Sequence, residues 1–165
     1  MKIREASRED LKTIKALLPY LVAFTVPEDR DSEDFWMSDY DLYQKIVEGS
    51  RKDGFALVVE VSNQVVGTAL VSFRNEMLSG KPSSHLEVIV VHPEYHGTGI
   101  AQNLLEICEN RALEGGAHCM TLHAYHQNLR ARSFYEKLSY CGEFLRYRKV
   151  LKDTKASTST QGKTS

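Results

Sequence analysis

The stretch VVHPEYHGTGIAQNLL, residues 90–105, decides how this chain is organised. An extended run ends at Val91, Pro93 cannot donate to a strand ladder, and Gly97 and Gly99 bracket the start of a helix. The first turn of a helix presents unpaired N–H groups and the positive end of its dipole, so it attracts anions. Glycine at that point removes the Cβ atoms that would hold a phosphate away from the backbone. By spacing alone, a plain glycine-rich turn competes evenly with this anion site. A dinucleotide-binding fingerprint fits less well, because Gln102 occupies its third glycine position and three other strands precede the segment.

Working outward, residues 84–91 read as the strand that feeds this turn, and a helix over about 97–113 is stopped by Gly115 and Gly116. Upstream, residues 55–62 and 65–74 read as two strands joined by a hairpin at Asn63 and Gln64. A helix over about 34–49 precedes them, with Phe35, Tyr43, Ile46 and Val47 available to pack. The chain begins with a strand over residues 2–6, followed by Ser7 and Asp10 spaced as a capping box. A short helix then carries Leu11, Ile14, Leu17 and Leu18, and Pro19 ends it. Downstream come a strand over 119–125, a helix over 129–138 and a last strand over 140–151. The strand–helix–strand unit spanning 84–125 requires two parallel neighbours. The fold class is therefore α/β (α+β): a mixed, mostly antiparallel sheet with a central parallel pair and helices on both faces. One domain is expected over residues 1–152, with 153–165 a disordered polar tail rich in Ser, Thr and Lys.

The 165 residues suffice to bury a core, and 42% hydrophobic against 26% charged residues is a globular balance. A formal net charge of −1 supplies no field to draw the protein onto nucleic acid or an anionic membrane. No apolar run approaches the ~20 residues that span a bilayer, and the N-terminus lacks the apolar stretch of a secretory signal. Cys108, Cys119 and Cys141 are odd in number and lack metal-ligand spacing, so reduced thiols in a cytoplasmic protein are expected. Pro93 interrupts the His92/His96 pair, and no carboxylate or thiol completes a set with these, His118 or His126. No metal is expected.

Residues 87–105 resemble the acyl-CoA motif of GNAT-superfamily N-acetyltransferases, Arg/Gln-x-x-Gly-x-Gly/Ala, with His96 standing where Arg or Gln is usual. A second element, Asn128 followed seven residues later by Tyr135 and then Leu138-Ser139-Tyr140, resembles the family's Asn, Tyr and Leu-Gly-Phe. The resemblance spans about residues 84–145. It implies acetyl-CoA as acyl donor, with free backbone groups of Ile89, Val90 and Val91 bonding the pantetheine arm. It places the pyrophosphate at His96, Gly97, Thr98, Gly99, Ile100, Ala101 and Gln102, and Asn128 near the thioester. Tyr135 would protonate the departing thiolate. The acceptor would be a small-molecule or peptide amine, attacking directly in a ternary complex, and exposed strand edges can pair two copies into a homodimer.

An alkylammonium titrates near ~10.4, so the attacking amine must first lose a proton. Glu87 is one candidate base, placed by strand alternation on one face with Ile89 and Val91; unpaired burial would be costly, so it should reach solvent or hold a cation. His123, five residues before Asn128, is the other, and a structural hydrogen-bonding role competes equally with that one. A water chain is the third route. Glu28, Asp29, Asp31, Glu33, Asp34, Asp39 and Asp41 face a single Arg30, and with Trp36 and Tyr40 they would suit a cationic amine; singly, each acid reads better as solvated surface. A non-catalytic acyl-CoA sensor and a protein–protein adaptor are the rival readings.

Overall fold

A computed structural model describes residues 1–151. The polar tail expected beyond residue 152 lies outside the described residues. In chain order the regular elements are β1 (Lys2–Glu5), α1 (Leu11–Leu17), α2 (Met37–Val47), β2 (Gly54–Val61), β3 (Gln64–Asn75), β4 (Pro82–Val91), α3 (Ile100–Glu114), β5 (Met120–Leu122) and α4 (Leu129–Lys137), with short 3-10 turns between several of them. The strands lie side by side in the order β1-β2-β3-β4-β5, every pair antiparallel except β4–β5. The long α3 crossover is what allows β5 to run parallel to β4.

Both faces of the sheet are covered. On one, Ile14 and Leu18 of the first helical segment and Trp36 and Tyr43 from the second pack on Ala56, Val58, Leu70, Val88 and Val90. On the other, Ile100, Leu104, Leu105 and Cys108 of α3 pack on Leu57, Val59, Ala69, Val71, Leu86 and Val91, and Phe134, Tyr135 and Leu138 of α4 join that side. Tyr43 is wholly buried, and its hydroxyl lies 3.0 Å from Thr68 Oγ1. Thr68 spends its own proton on Leu57 O at 2.8 Å, so the phenol donates.

Asp10 locks β1 to the start of α1. It is 6% exposed, and its carboxylate accepts from Ser7 N–H at 2.7 Å, as the expected capping box requires. Arg4 closes a fork on the same carboxylate at 2.7 and 2.9 Å.

Three sequence expectations change. The β2–β3 turn is built by Ser62 and Asn63, both at positive φ (49° and 61°), one residue earlier than expected; two-residue hairpins need that backbone, and Asn adopts it readily. The strand expected over 119–125 shrinks to three residues. The last strand, expected over 140–151, does not form: Phe144, Leu145, Tyr147 and Leu151 are all more than half exposed. A strand needs a ladder partner, and β5 offers too short an edge. The segment is instead tied by Tyr140 Oη–H to Glu109 at 2.7 Å and by the Arg148 fork on Asp29. Among the described residues no helix is long and apolar enough to cross a membrane.

Arg4, and then Ser7, hold the Asp10 carboxyl down to about 2. A depressed carboxylate contributes stability above its ordinary pKa near 4 and loses it as pH falls toward 2. Asp10→Asn is therefore expected to cost roughly 1–2 kcal/mol at pH 7, with the difference from the parent vanishing by about pH 2, as measured by urea denaturation across pH.

Candidate active site

The site begins where two parallel strands part. The β4–β5 ladder has three rungs, Ser84–Met120, His85–Thr121 and Leu86–Leu122. Strand β4 then continues to Val91 while the chain after Leu122 leaves the sheet. From Glu87 onward β4 is paired with β3 alone, so the backbone of Ile89, Val90 and Val91 has no strand partner on its β5 side among the described residues. Val90 points to the α1–α2 face, and Ile89 and Val91 to the α3 face.

Beyond Val91 the loop turns through a 3-10 turn, Pro93–Tyr95, into α3. Gly97 and Gly99 have φ of 78° and 82°, values that L side chains adopt at a cost, and a Cβ built on either meets nothing within 4 Å. The space beside them is open. His96 N–H bonds Pro93 O at 3.1 Å and Asn103 N–H bonds Gly99 O at 3.0 Å; the six amides between, Gly97 through Gln102, have no partner among the described residues. Thr98 Oγ1 donates to Tyr95 O at 2.6 Å and His96 Nε2 to Val91 O at 2.8 Å, so two side chains brace the loop from behind. Unpaired amides, a helix dipole and room beside the glycines fit a diphosphate.

Helix α4 brings two more expected residues. Asn128 is its N-cap, accepting from Ala131 N–H at 3.1 Å through Oδ1, and its NH2 has no acceptor among the described residues. It also lines an open cavity of about 490 Å³ between residues 23–25 and 127–130. Phe24 stacks on Tyr125 at 4.9 Å with Phe35 edge-on, pinning the loop before α2 to the β5–α4 connection. Tyr135 lies between Phe134 and Tyr140, with no hydrogen-bond partner for its hydroxyl among the described residues, and burial pushes that phenol up to about 12. It keeps its proton throughout the neutral range.

Glu87 stands at a β-bulge. Leu70 pairs with Val88 and Val71 with Leu86, leaving Glu87 as the extra residue in β4. The bulge overturns the expected alternation: Glu87 shares the α1–α2 face with Val88 and Ser72, not the α3 face with Ile89 and Val91. It does hold a cation. Arg74 and Ser72 Oγ both donate to Oε1, the latter at 2.5 Å. Across from it on α2 is the half-buried Asp39, whose carboxyl is raised to about 7 by burial and by the Glu87 charge. His123 is exposed, its ring 4.6 Å from that of His85.

His85, Arg74, Thr121 and Asp39 were not singled out from sequence as members of this group. The one signal available was His85 standing two positions before Glu87, on the same side of an ordinary strand. Trp36 is 6% exposed and packs in the core beneath α2, while Tyr40 is half-buried with Lys15 Nζ 5.2 Å over its ring. The acidic stretch divides: Asp29 pairs with Arg148, Asp34 accepts from Asp31 N–H at 3.1 Å, and Asp39 alone turns toward Glu87. Among the described residues no three His, Cys, Asp or Glu side chains gather as a metal-holding group.

The sequence matches the acetyltransferase (GNAT) family over residues 17–140. No curated protein sequence matches the chain. A transcriptional regulator from Bacillus halodurans C-125 is similar in structure, at TM-score 0.70 and 23% identity, covering 91% of this chain and 99% of the other. A ribosomal-protein-alanine N-acetyltransferase from Brucella melitensis biovar Abortus 2308 is similar at TM-score 0.66 and 18% identity over 92% and 99% of the two chains. An aminoglycoside N-acetyltransferase in complex with CoA is similar at TM-score 0.67 and 17% identity over 91% and 100%. At these identities the likeness is one of fold.

A raised carboxyl pKa penalises folding once the group ionises, so the Asp39 penalty is absent below about pH 4 and complete above about 7. Asp39→Asn is expected to stabilise the protein by the order of 1 kcal/mol at pH 8 and to be neutral at pH 4, as measured by thermal melts at both pH values.

Proposed function

Because the chain belongs to the acetyltransferase (GNAT) family, we propose that it transfers an acetyl group from acetyl-CoA to a primary amine by direct attack in a ternary complex. The observation that carries this is the run of six unpaired amides, Gly97 through Gln102, beside the β4–β5 opening. They would bind the pyrophosphate, with His96 bracing the loop through Val91 O, and the backbone of Ile89 with the Val91 N–H, which face away from β3, would bond the pantetheine arm, while the backbone of Val90 is spent on β3. The NH2 of Asn128 would donate to the coenzyme near its thioester.

In the transfer the amine nitrogen bonds the carbonyl carbon and the carbon–sulfur bond breaks. One proton leaves the ammonium before attack, to Glu87, to His123 or through water. A second leaves as the amide forms and ends on sulfur. Tyr135 would face the sulfur as a hydrogen-bond donor. With its pKa near 12, complete proton transfer to a thiolate of ~8.5 is uphill, so the phenol stabilises the leaving group chiefly by donating. An acyl-cysteine route has little support: Cys108 is buried on α3 and burial raises its thiol to about 12.

Tyr40 on α2 and Glu87 on β4 support a cationic acceptor, a role the core position of Trp36 does not share. Small amines and peptide N-termini both remain within that class, and the similar aminoglycoside and ribosomal-protein enzymes take one of each. The similar transcriptional regulator favours a second reading, a domain that binds acyl-CoA and senses it without transferring the acetyl group.

Free-thiol release from acetyl-CoA with a panel of amines separates the two: amine-dependent release supports the transferase, and tight binding without release supports the sensor. Within the transferase, Tyr135→Phe is expected to lower kcat by about 10-fold or more while leaving the Kd for CoA unchanged. Gly99→Asp should do the reverse and weaken CoA by about 10-fold or more, because it adds charge and a strained backbone at the diphosphate. Loss of both quantities together in Tyr135→Phe would contradict its assigned role.

A further inference from the structure

His85 is the middle rung of the β4–β5 ladder, and its ring is almost wholly buried, at 4% exposed. Its Nδ1 lies 2.7 Å from Thr121 Oγ1. That hydroxyl also lies 3.3 Å from Ser84 O. A carbonyl only accepts, so the Thr121 proton is directed at Ser84 and its oxygen is left to accept from His85. The ring proton therefore sits on Nδ1, and Nε2 presents a lone pair.

Nε2 has no hydrogen-bond partner among the described residues and lies 3.9 Å from Glu87 Oε2. Glu87 commits its other oxygen, Oε1, to Arg74 and Ser72. Two acceptors thus face one another with no donor between them. A single nitrogen about 2.9 Å from each would bridge that gap, giving one N–H to the imidazole and one to the carboxylate. Burial, and then the Arg74 charge, lower the His85 pKa to about 4, so the ring stays neutral and accepting at neutral pH. The other ionisable groups facing this point are Asp39 from α2 and His123 from the chain beyond β5. The pair lies at the level where the β4–β5 ladder stops.

We propose that His85 Nε2 and Glu87 Oε2 form a paired acceptor subsite for the ammonium group of the substrate, selecting amines that carry at least two N–H bonds. It rests on the assignment of this opening as the acceptor side of a transferase. Primary amines satisfy both acceptors; a protonated tertiary amine has one N–H and leaves the other acceptor without a donor from the ligand.

The test is 15N NMR of histidine-labelled protein titrated with propylammonium and with N,N-dimethylpropylammonium. His85 should show protonated Nδ1 and unprotonated Nε2. Its Nε2 signal should move with propylammonium, and the dimethyl amine should need roughly 10-fold higher concentration for the same effect. Thr121→Val, which keeps the side-chain shape and removes the oxygen that fixes the tautomer, should weaken the propylammonium response several-fold. His85→Phe should abolish the preference between the two amines. A protonated Nε2, equal affinity for the two amines, or no response to either overturns the subsite. Thiol release from acetyl-CoA is measured in parallel, so a propylammonium response without any amine-dependent release keeps the subsite and defeats the transferase.

Discussion

The molecule depends on a parallel strand pair that stops after three rungs. Had β5 continued along β4, the polar backbone of residues 87–91 would be consumed in the ladder, as buried backbone normally is. Stopping it leaves a row of donors and acceptors that something else must satisfy. The Glu87 bulge lies at the same level, where it bends β4 and turns a carboxylate toward α2. Interrupted pairing and bulge together create an opening with unpaired backbone inside and ionisable side chains at its rim.

The two sides of that opening differ in chemistry. Toward α3 are glycines, free amides and a helix N-terminus, a surface with partial positive charge and almost no side chains. Toward α2 are Glu87 and Asp39, offset by Arg74, with His85 held neutral between them. An anionic donor and a cationic acceptor would thus approach from opposite faces of one sheet. The α2 side carries a thermodynamic cost, visible in the raised Asp39 carboxyl.

Much of this was legible in the sequence for identifiable reasons. Asn128 seven residues before Tyr135 was read by its resemblance to the family, whereas Gly97 and Gly99 behind a strand are a local pattern whose geometry follows from backbone sterics and helix capping. Ser7 with Asp10 is another. The bulge at Glu87 was hidden because no glycine or proline marks it, and a run such as Leu86–Val91 fits either phase of alternation. His85 was overlooked with it, since its partner Thr121 lies on another strand, 36 residues away. Residues 140–151 look like a strand by composition, but strand formation is decided by the neighbour, and β5 is too short to provide one.

Hydrogen exchange of the individual amides, with and without CoA, tests the central claim most directly. If the loop after β4 receives the diphosphate, exchange at Gly97 through Gln102 should slow markedly on adding CoA, together with the free edge of residues 89–91. The neighbouring amides of His96 and Asn103, already bonded within the protein, should change little. Slowing confined to other segments, with the six loop amides exchanging as fast as before, would contradict it.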